Sequence, residues 1–126
     1  QLTLSTSSSR RPVGVRTCPA DDLYFQQSPR VLRFDLGKRR RGPVSNWSGP
    51  VWVLSSAYLA EGLARYGYTA EARELAVRTA RLLAADLART GALHECWNDA
   101  GDGLWPRSGT FVSWNVLGPW LLDRHL

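Results

Sequence analysis

The segment LHECWNDAGDG, Leu93 to Gly103, sets one carboxylate, Glu95, close to His94 and Trp97 just after a helical pattern ends. A carboxylate held beside aromatic walls and partly dried can take up or give a proton near neutral pH, which is general acid–base chemistry. Glu95 is therefore the candidate catalytic residue. Asp99 and Asp102 lie close by, but NDAGDG is also good turn chemistry in which Asp and Asn cap their own backbone, and they are read as turn residues. A calcium loop is excluded, because the D-x-[DN]-x-[DN]-G order and its distal Glu are missing.

Tryptophan is the other unusual resource, with six in 126 residues. Trp47 and Trp52 flank the start of the first helical pattern, Trp97 and Trp105 lie in a loop, and Trp114 opens the last helical segment. Rings gathered at helix mouths suit stacking on flat apolar faces, such as the C–H faces of sugar rings. Filling the gaps between helix ends would use them equally well, and the pattern alone leaves both readings open. Cys18 and Cys96 share no metal or redox spacing, so each is read as an inert thiol rather than as a nucleophile served by His94. No metal site and no cofactor are expected. Asn46-Trp47-Ser48 fits a glycosylation sequon and is read as a chance match.

Charge is unevenly placed. Residues 1–48 hold nine Lys and Arg against three Asp, whereas residues 49–126 hold seven Arg against eight acids. The local peak, Lys38-Arg39-Arg40-Arg41, has no interleaved aromatics and belongs to no nucleic-acid module, so it is read as a solvated loop and no nucleic-acid partner is expected. No apolar run approaches the roughly 18 residues of a membrane span, and the Ser-rich beginning lacks the apolar middle of a secretory signal. No membrane partner is expected, and the default location is cytoplasmic.

These residues need elements to hold them. Residues 1–48 are rich in Pro, Gly, Arg and Ser without sustained periodicity and are expected to be irregular; residues 49–126 are expected to be helical. A first helix is expected from Pro50, capped by Ser48 or Gly49, with Val51, Leu54, Tyr58, Leu59, Gly62 and Leu63 on its apolar face and Gly67 closing it. Thr69 is expected to cap a second helix whose stripe is Ala72, Leu75, Ala76, Leu82, Leu83 and Leu87, ending near Gly91. With only Gly67 and Tyr68 between them, the two fold back as an antiparallel pair. A third segment runs from Phe111 to Leu126, with Pro119 kinking it or marking its true start. The fold class is all-α. The absence of Met and three helices whose stripes expect further neighbours read as part of a longer chain.

Four ordered blocks resemble the closing part of the catalytic domain of glycoside hydrolase family 63 and its mannosylglycerate hydrolase-like and trehalase-like relatives. GVRTCPADDLYF resembles the family's G-V-R-T/S-L-S-x-D-D-x-x-Y, and SNWSGPVWV resembles S-N-W-x-G-P-V-W-V. LHECWNDAGDG resembles an aromatic-x-E-x-aromatic-x-P-x-T-G-x-G segment, and TFVSWNVL resembles F-x-W-T followed by an apolar helix. The resemblance implies an (α/α)6 barrel that hydrolyses α-linked glucosides or mannosides with inversion, one carboxyl acting as acid and another as base about 6.5–9.5 Å away. It assigns the base to Glu95. Carbohydrate contacts go by the same resemblance to Trp47, Trp52, Trp114, Arg16 and Tyr24, with Trp97 beside the base as a further candidate. The general acid of such enzymes is an Asp far upstream, and Asp21, Asp22 and Asp35 match no such motif. The expected partners are thus a carbohydrate substrate and the remainder of the barrel from a longer parent chain, the 126 residues being inactive alone. The competing reading is a non-catalytic remnant or a sugar- or partner-binding helical module.

Overall fold

The computed structural model describes residues 10–11, 14–18, 47, 49–106 and 108–126, which form three α-helices and two small hairpins. Strands β1 (Arg10–Arg11) and β2 (Gly14–Val15) pair antiparallel, as do β3 (Cys96–Trp97) and β4 (Gly103–Trp105). Helix α1 spans Val53–Arg65 and α2 spans Thr69–Thr90; a 3₁₀ turn at Ser113–Val116 leads into α3, Leu117–His125. The described chain is mainly helical, as the periodicity predicts.

Helices α1 and α2 run antiparallel. Val53, at the start of α1, packs with Leu82 and Leu83 late in α2, while Ala57 and Ala60 pack with Leu75 and Ala76 earlier in α2. Leu121 of α3 joins the second group, and Leu117 touches both. The contact faces carry Ser56, Ala57 and Ala60 on one side and Ala72 and Ala76 on the other, all buried, so the backbones approach closely. Gly91 ends α2 in the left-handed region, at φ 71°, with its N–H donating to the Leu87 carbonyl.

Several local expectations are corrected. Helix α1 starts at Val53 rather than Pro50, because the backbone of residues 50–51 is used in extended pairing with residues outside the helix. Trp52, not Ser48 or Gly49, occupies its N-cap position in extended conformation. Its buried face is Val53, Ser56, Ala57 and Ala60, and the expected Tyr58 and Leu59 are exposed: small side chains admit a neighbouring helix where bulky rings would hold it off. Leu87 is likewise exposed on α2, and its place in the stripe passes to Asp86. Thr69 is the first residue of α2 and makes no capping bond, Tyr68 preceding it as the N-cap. Pro119 falls in the first turn of α3, where a missing N–H leaves no helical bond unmade. The loop after α2 contains the β3–β4 hairpin, and the irregular first segment contains the β1–β2 pair.

Candidate functional site

The Glu95 turn sits in a short extended array at one end of the helix pair. Val51 and Trp97 exchange two backbone bonds, 2.8 Å from the Val51 N–H and 3.0 Å from the Trp97 N–H. Arg16 bridges the other side of Val51, and β4 flanks β3, so the order across the array is Arg16, Val51, Trp97, β4. The Thr17 N–H and hydroxyl both donate to the Pro50 carbonyl, at 3.3 and 3.1 Å, and the hydroxyl accepts from Gly49 N–H at 3.2 Å. Close passage of the strands needs glycine at one point. A Cβ on Gly14, whose φ is +146°, would lie 2.8 Å from Val51 Cγ1.

Glu95 immediately precedes β3 and is buried, its N–H donating to the Trp105 carbonyl. The residues on either side are held by Asp86, a fully buried carboxylate of α2. Asp86 Oδ2 accepts three bonds: from the His94 N–H at 3.1 Å, from His94 Nδ1 at 2.8 Å and from Trp97 Nε1 at 2.9 Å. The His94 ring lies against Gly103, where any Cβ would come within 2.0 Å of the ring. Asn115 ties in the last segment, its Nδ2 donating to the carbonyls of His94 and Phe111 at 2.7 Å each. Phe111 N–H donates to the Leu93 carbonyl at 2.7 Å, and Leu93 N–H to Thr110 Oγ1 at 3.0 Å.

An aromatic stack adjoins this turn. In an antiparallel pair centred on Val51 and Trp97, Trp52 lies opposite Cys96. Trp47 stacks on Trp52 with centroids 3.9 Å apart and planes 15° from parallel; Trp114 is tilted against Trp52 at 5.7 Å and against Phe111 at 4.9 Å. Trp47 is the outer ring, 39% exposed, and Trp52 is covered beneath it. Among the described residues, the buried indole N–H groups of Trp52 and Trp114 meet no acceptor.

The sequence candidates are thus partly brought together. Trp47, Trp52 and Trp114 form one cluster, and the Val51–Trp97 pairing sets Trp52 opposite Cys96, the residue after Glu95. Trp97, expected as a ring for substrate, is fully buried in the core with Val51, Val53, Leu82 and Leu83. Arg16, expected as a polar group toward substrate, has its buried guanidinium in a bidentate pair with Asp99: Nε donates to Oδ1 at 2.6 Å and Nη2 to Oδ2. Hydrogen bonding to Asp99 holds its pKa above the ordinary arginine value, against the opposing effect of burial. Tyr24 and the Lys38–Arg41 cluster lie outside the described residues. The turn itself is capped by Asn98, whose Oδ1 accepts from the N–H groups of Ala100 at 3.0 Å and Asp102 at 2.8 Å. Asp102 in turn accepts from Arg89 Nη1 at 2.5 Å and from Asn98 Nδ2 at 3.0 Å. Asp86 and Asn115 escaped sequence reasoning. Asp86 had a readable signal: an acid seven positions after Thr79 and three or four after Leu83 and Leu82, in the register of the buried stripe.

Among the described residues no three His, Cys, Asp or Glu side chains converge as metal ligands, and no helix is long and apolar enough to cross a membrane. Cys96 is buried and Cys18 half-buried. Two surface hollows, one bounded by Arg78, Arg81, Arg89 and Gly101 and the other by Glu61, Arg65, Arg124 and His125, involve neither Glu95 nor the tryptophan cluster.

No curated protein matches the chain. The mannosylglycerate hydrolase MGH1-like glycoside hydrolase domain does match, over residues 1–114, so it spans the array, the Glu95 turn and the tryptophan cluster. With nine-tenths of its length inside that match, the chain belongs to the MGH1-like glycoside hydrolase domain family.

Proposed function

We propose that this chain supplies the catalytic base and one aromatic wall of an inverting glycosidase acting on an α-linked mannoside or glucoside, within an (α/α)6 barrel. One observation carries the reading: Glu95 is buried beside Cys96, and the Val51–Trp97 pairing sets Cys96 opposite Trp52, the inner ring of a cluster of three tryptophans whose outermost ring faces solvent. Trp47 and Trp114 offer ring faces to the sugar, and Trp52 backs Trp47. Trp97 and Arg16 serve by position, the first through its core packing and its bond to Asp86, the second by strapping the β2 segment to the Asp99 turn.

In this mechanism Glu95 takes a proton from a water on one face of the sugar while an acid on the other face protonates the leaving oxygen. The other acids around the turn are committed elsewhere: Asp86 to His94 and Trp97, Asp99 to Arg16, and Asp102 to Arg89 and Asn98. The acid accordingly comes from outside the described residues. The test is to incubate the intact protein with a panel of α-mannosides and α-glucosides and follow the first-formed product by NMR. A β-anomeric product supports the reading; an α-anomeric product, or none from any α-linked substrate, overturns it.

A further inference from the structure

Asp86 is the one carboxylate among the described residues whose side chain is completely buried and bonded to other side chains, yet it has no part in the chemistry proposed for Glu95. Its Oδ2 receives three N–H groups, and its Oδ1, buried as well, has no hydrogen bond; the nearest cation is Arg89 Nη2, 3.6 Å from that oxygen. Taking a carboxylate out of water is unfavourable unless its partners offset the loss of hydration, and for core packing alone an apolar side chain would serve as well or better. What a carboxylate oxygen can do, and a leucine cannot, is gather several donors at one point.

The three donors are not scattered. They are the backbone N–H and ring of His94 and the indole of Trp97, one residue before Glu95 and two after it. A four-residue stretch is therefore pinned at both ends to a single atom of a rigid 22-residue helix. The His94 bond also places the proton on Nδ1, and the absence of a Cβ at Gly103 leaves the ring room where it lies. Asn115 holds the His94 carbonyl from the opposite side.

We propose that Asp86 is a positioning residue for Glu95: through His94 and Trp97 it sets the direction of the Glu95 carboxylate, and through Asn115 the same turn is locked to the segment that carries Trp114. The proposal rests on Glu95 being the base. Misplacing a reacting group by about 1 Å through a change away from the chemistry can lower a rate by about 10²-fold.

The experiment compares Asp86→Asn, Asp86→Leu, Glu95→Gln and the double variant Asp86→Leu/Glu95→Gln in the intact protein. Rates are read with 4-nitrophenyl α-mannoside and α-glucoside, and the His94 ring nitrogens and Glu95 carboxyl carbon by NMR. Asp86→Leu is expected to lower kcat by about 10²-fold with KM changed only a few-fold. The same variant should lose the Nδ1–H tautomer of His94 and replace one sharp Glu95 carboxyl resonance with several. Asp86→Asn, which keeps an acceptor oxygen, should recover most of kcat. In the double variant the two losses should fail to multiply, because both act on one carboxylate. Should Asp86→Leu not fold, Asp86→Asn carries the test through the tautomer, the carboxyl resonance and kcat. Normal kcat and an unchanged Glu95 resonance in Asp86 variants that have lost the His94 tautomer, beside an inactive Glu95→Gln, would overturn the positioning role alone. A fully active Glu95→Gln overturns both.

Discussion

The two ends of the α1–α2 pair are built from the same helices yet differ in how many polar groups they bury. At the Gly67 end, Tyr66 and Tyr68 are exposed, Glu74 pairs with Arg78 and Glu61 with Arg124 at the surface, the latter at 3.4 Å, and the one buried polar side chain described there is His125, 3.0 Å from Glu61. At the other end, Asp86, Glu95, Asn115 and the Arg16 guanidinium are all buried, Trp97 donates to Asp86 from the core, and Trp47, Trp52 and Trp114 pack on one another. A helix turn needs none of that. Burying polar groups is unfavourable unless each finds partners, so the end that buries most of them is where position matters more than stability.

Substitutions can sharpen or break this contrast. The largest effect is expected at Trp97, whose truncation to Ala empties the core between α1 and α2 and frees the Asp86 bond; denaturant unfolding should show a loss of about 3–5 kcal/mol. Gly103→Ala should come next, since the new methyl displaces the His94 ring from Asp86, with a loss of about 1–3 kcal/mol in the same measurement. At the opposite end, Arg124→Ala should change stability by no more than about 1 kcal/mol, and Tyr66→Ala by about 0.5 kcal/mol or less. If the Gly67-end variants proved as damaging as Gly103→Ala, the contrast would fail.

The smallest effect concerns pH. Bonds from Asn98 and then Arg89 hold the Asp102 carboxyl below its ordinary value of 3.8. Its folded value is thus lower than its unfolded one, so its contribution is complete above pH 3.8 and disappears as the pH falls through the folded value. Asp102→Asn should be slightly less stable than the parent at neutral pH and converge with it in acid, as followed by thermal melts across that range.

How much of this was legible depended on whether one helix or several segments decided it. The second helix could be read almost whole, because its alanines and leucines recur at helical spacing and Gly91 supplies a left-handed stop. Residues 50–52 could not. Pro50 after Ser48-Gly49 is good helix-start chemistry, but the Val51 backbone is taken by Trp97, forty-six positions on, and a pairing at that distance leaves no local trace. The outward turn of Tyr58 has a similar origin: the composition of α1 offers two apolar faces, and the small residues of α2 choose between them. For the site, the family-like blocks marked Glu95 and the tryptophans of the cluster. The same blocks did not reveal that Trp97 would be sealed in the core, or that Arg16 would be spent on Asp99, since both outcomes depend on partners far away in the chain.

The most direct measurement is the steady-state kinetics of Glu95→Gln in the intact protein on whichever α-mannoside or α-glucoside it hydrolyses. Gln keeps the shape of the side chain and removes its basicity, so kcat should fall by about 10²–10⁴-fold with KM within a few-fold of the parent. A kcat equal to the parent's would contradict the account, and the buried turn would then be a structural feature alone.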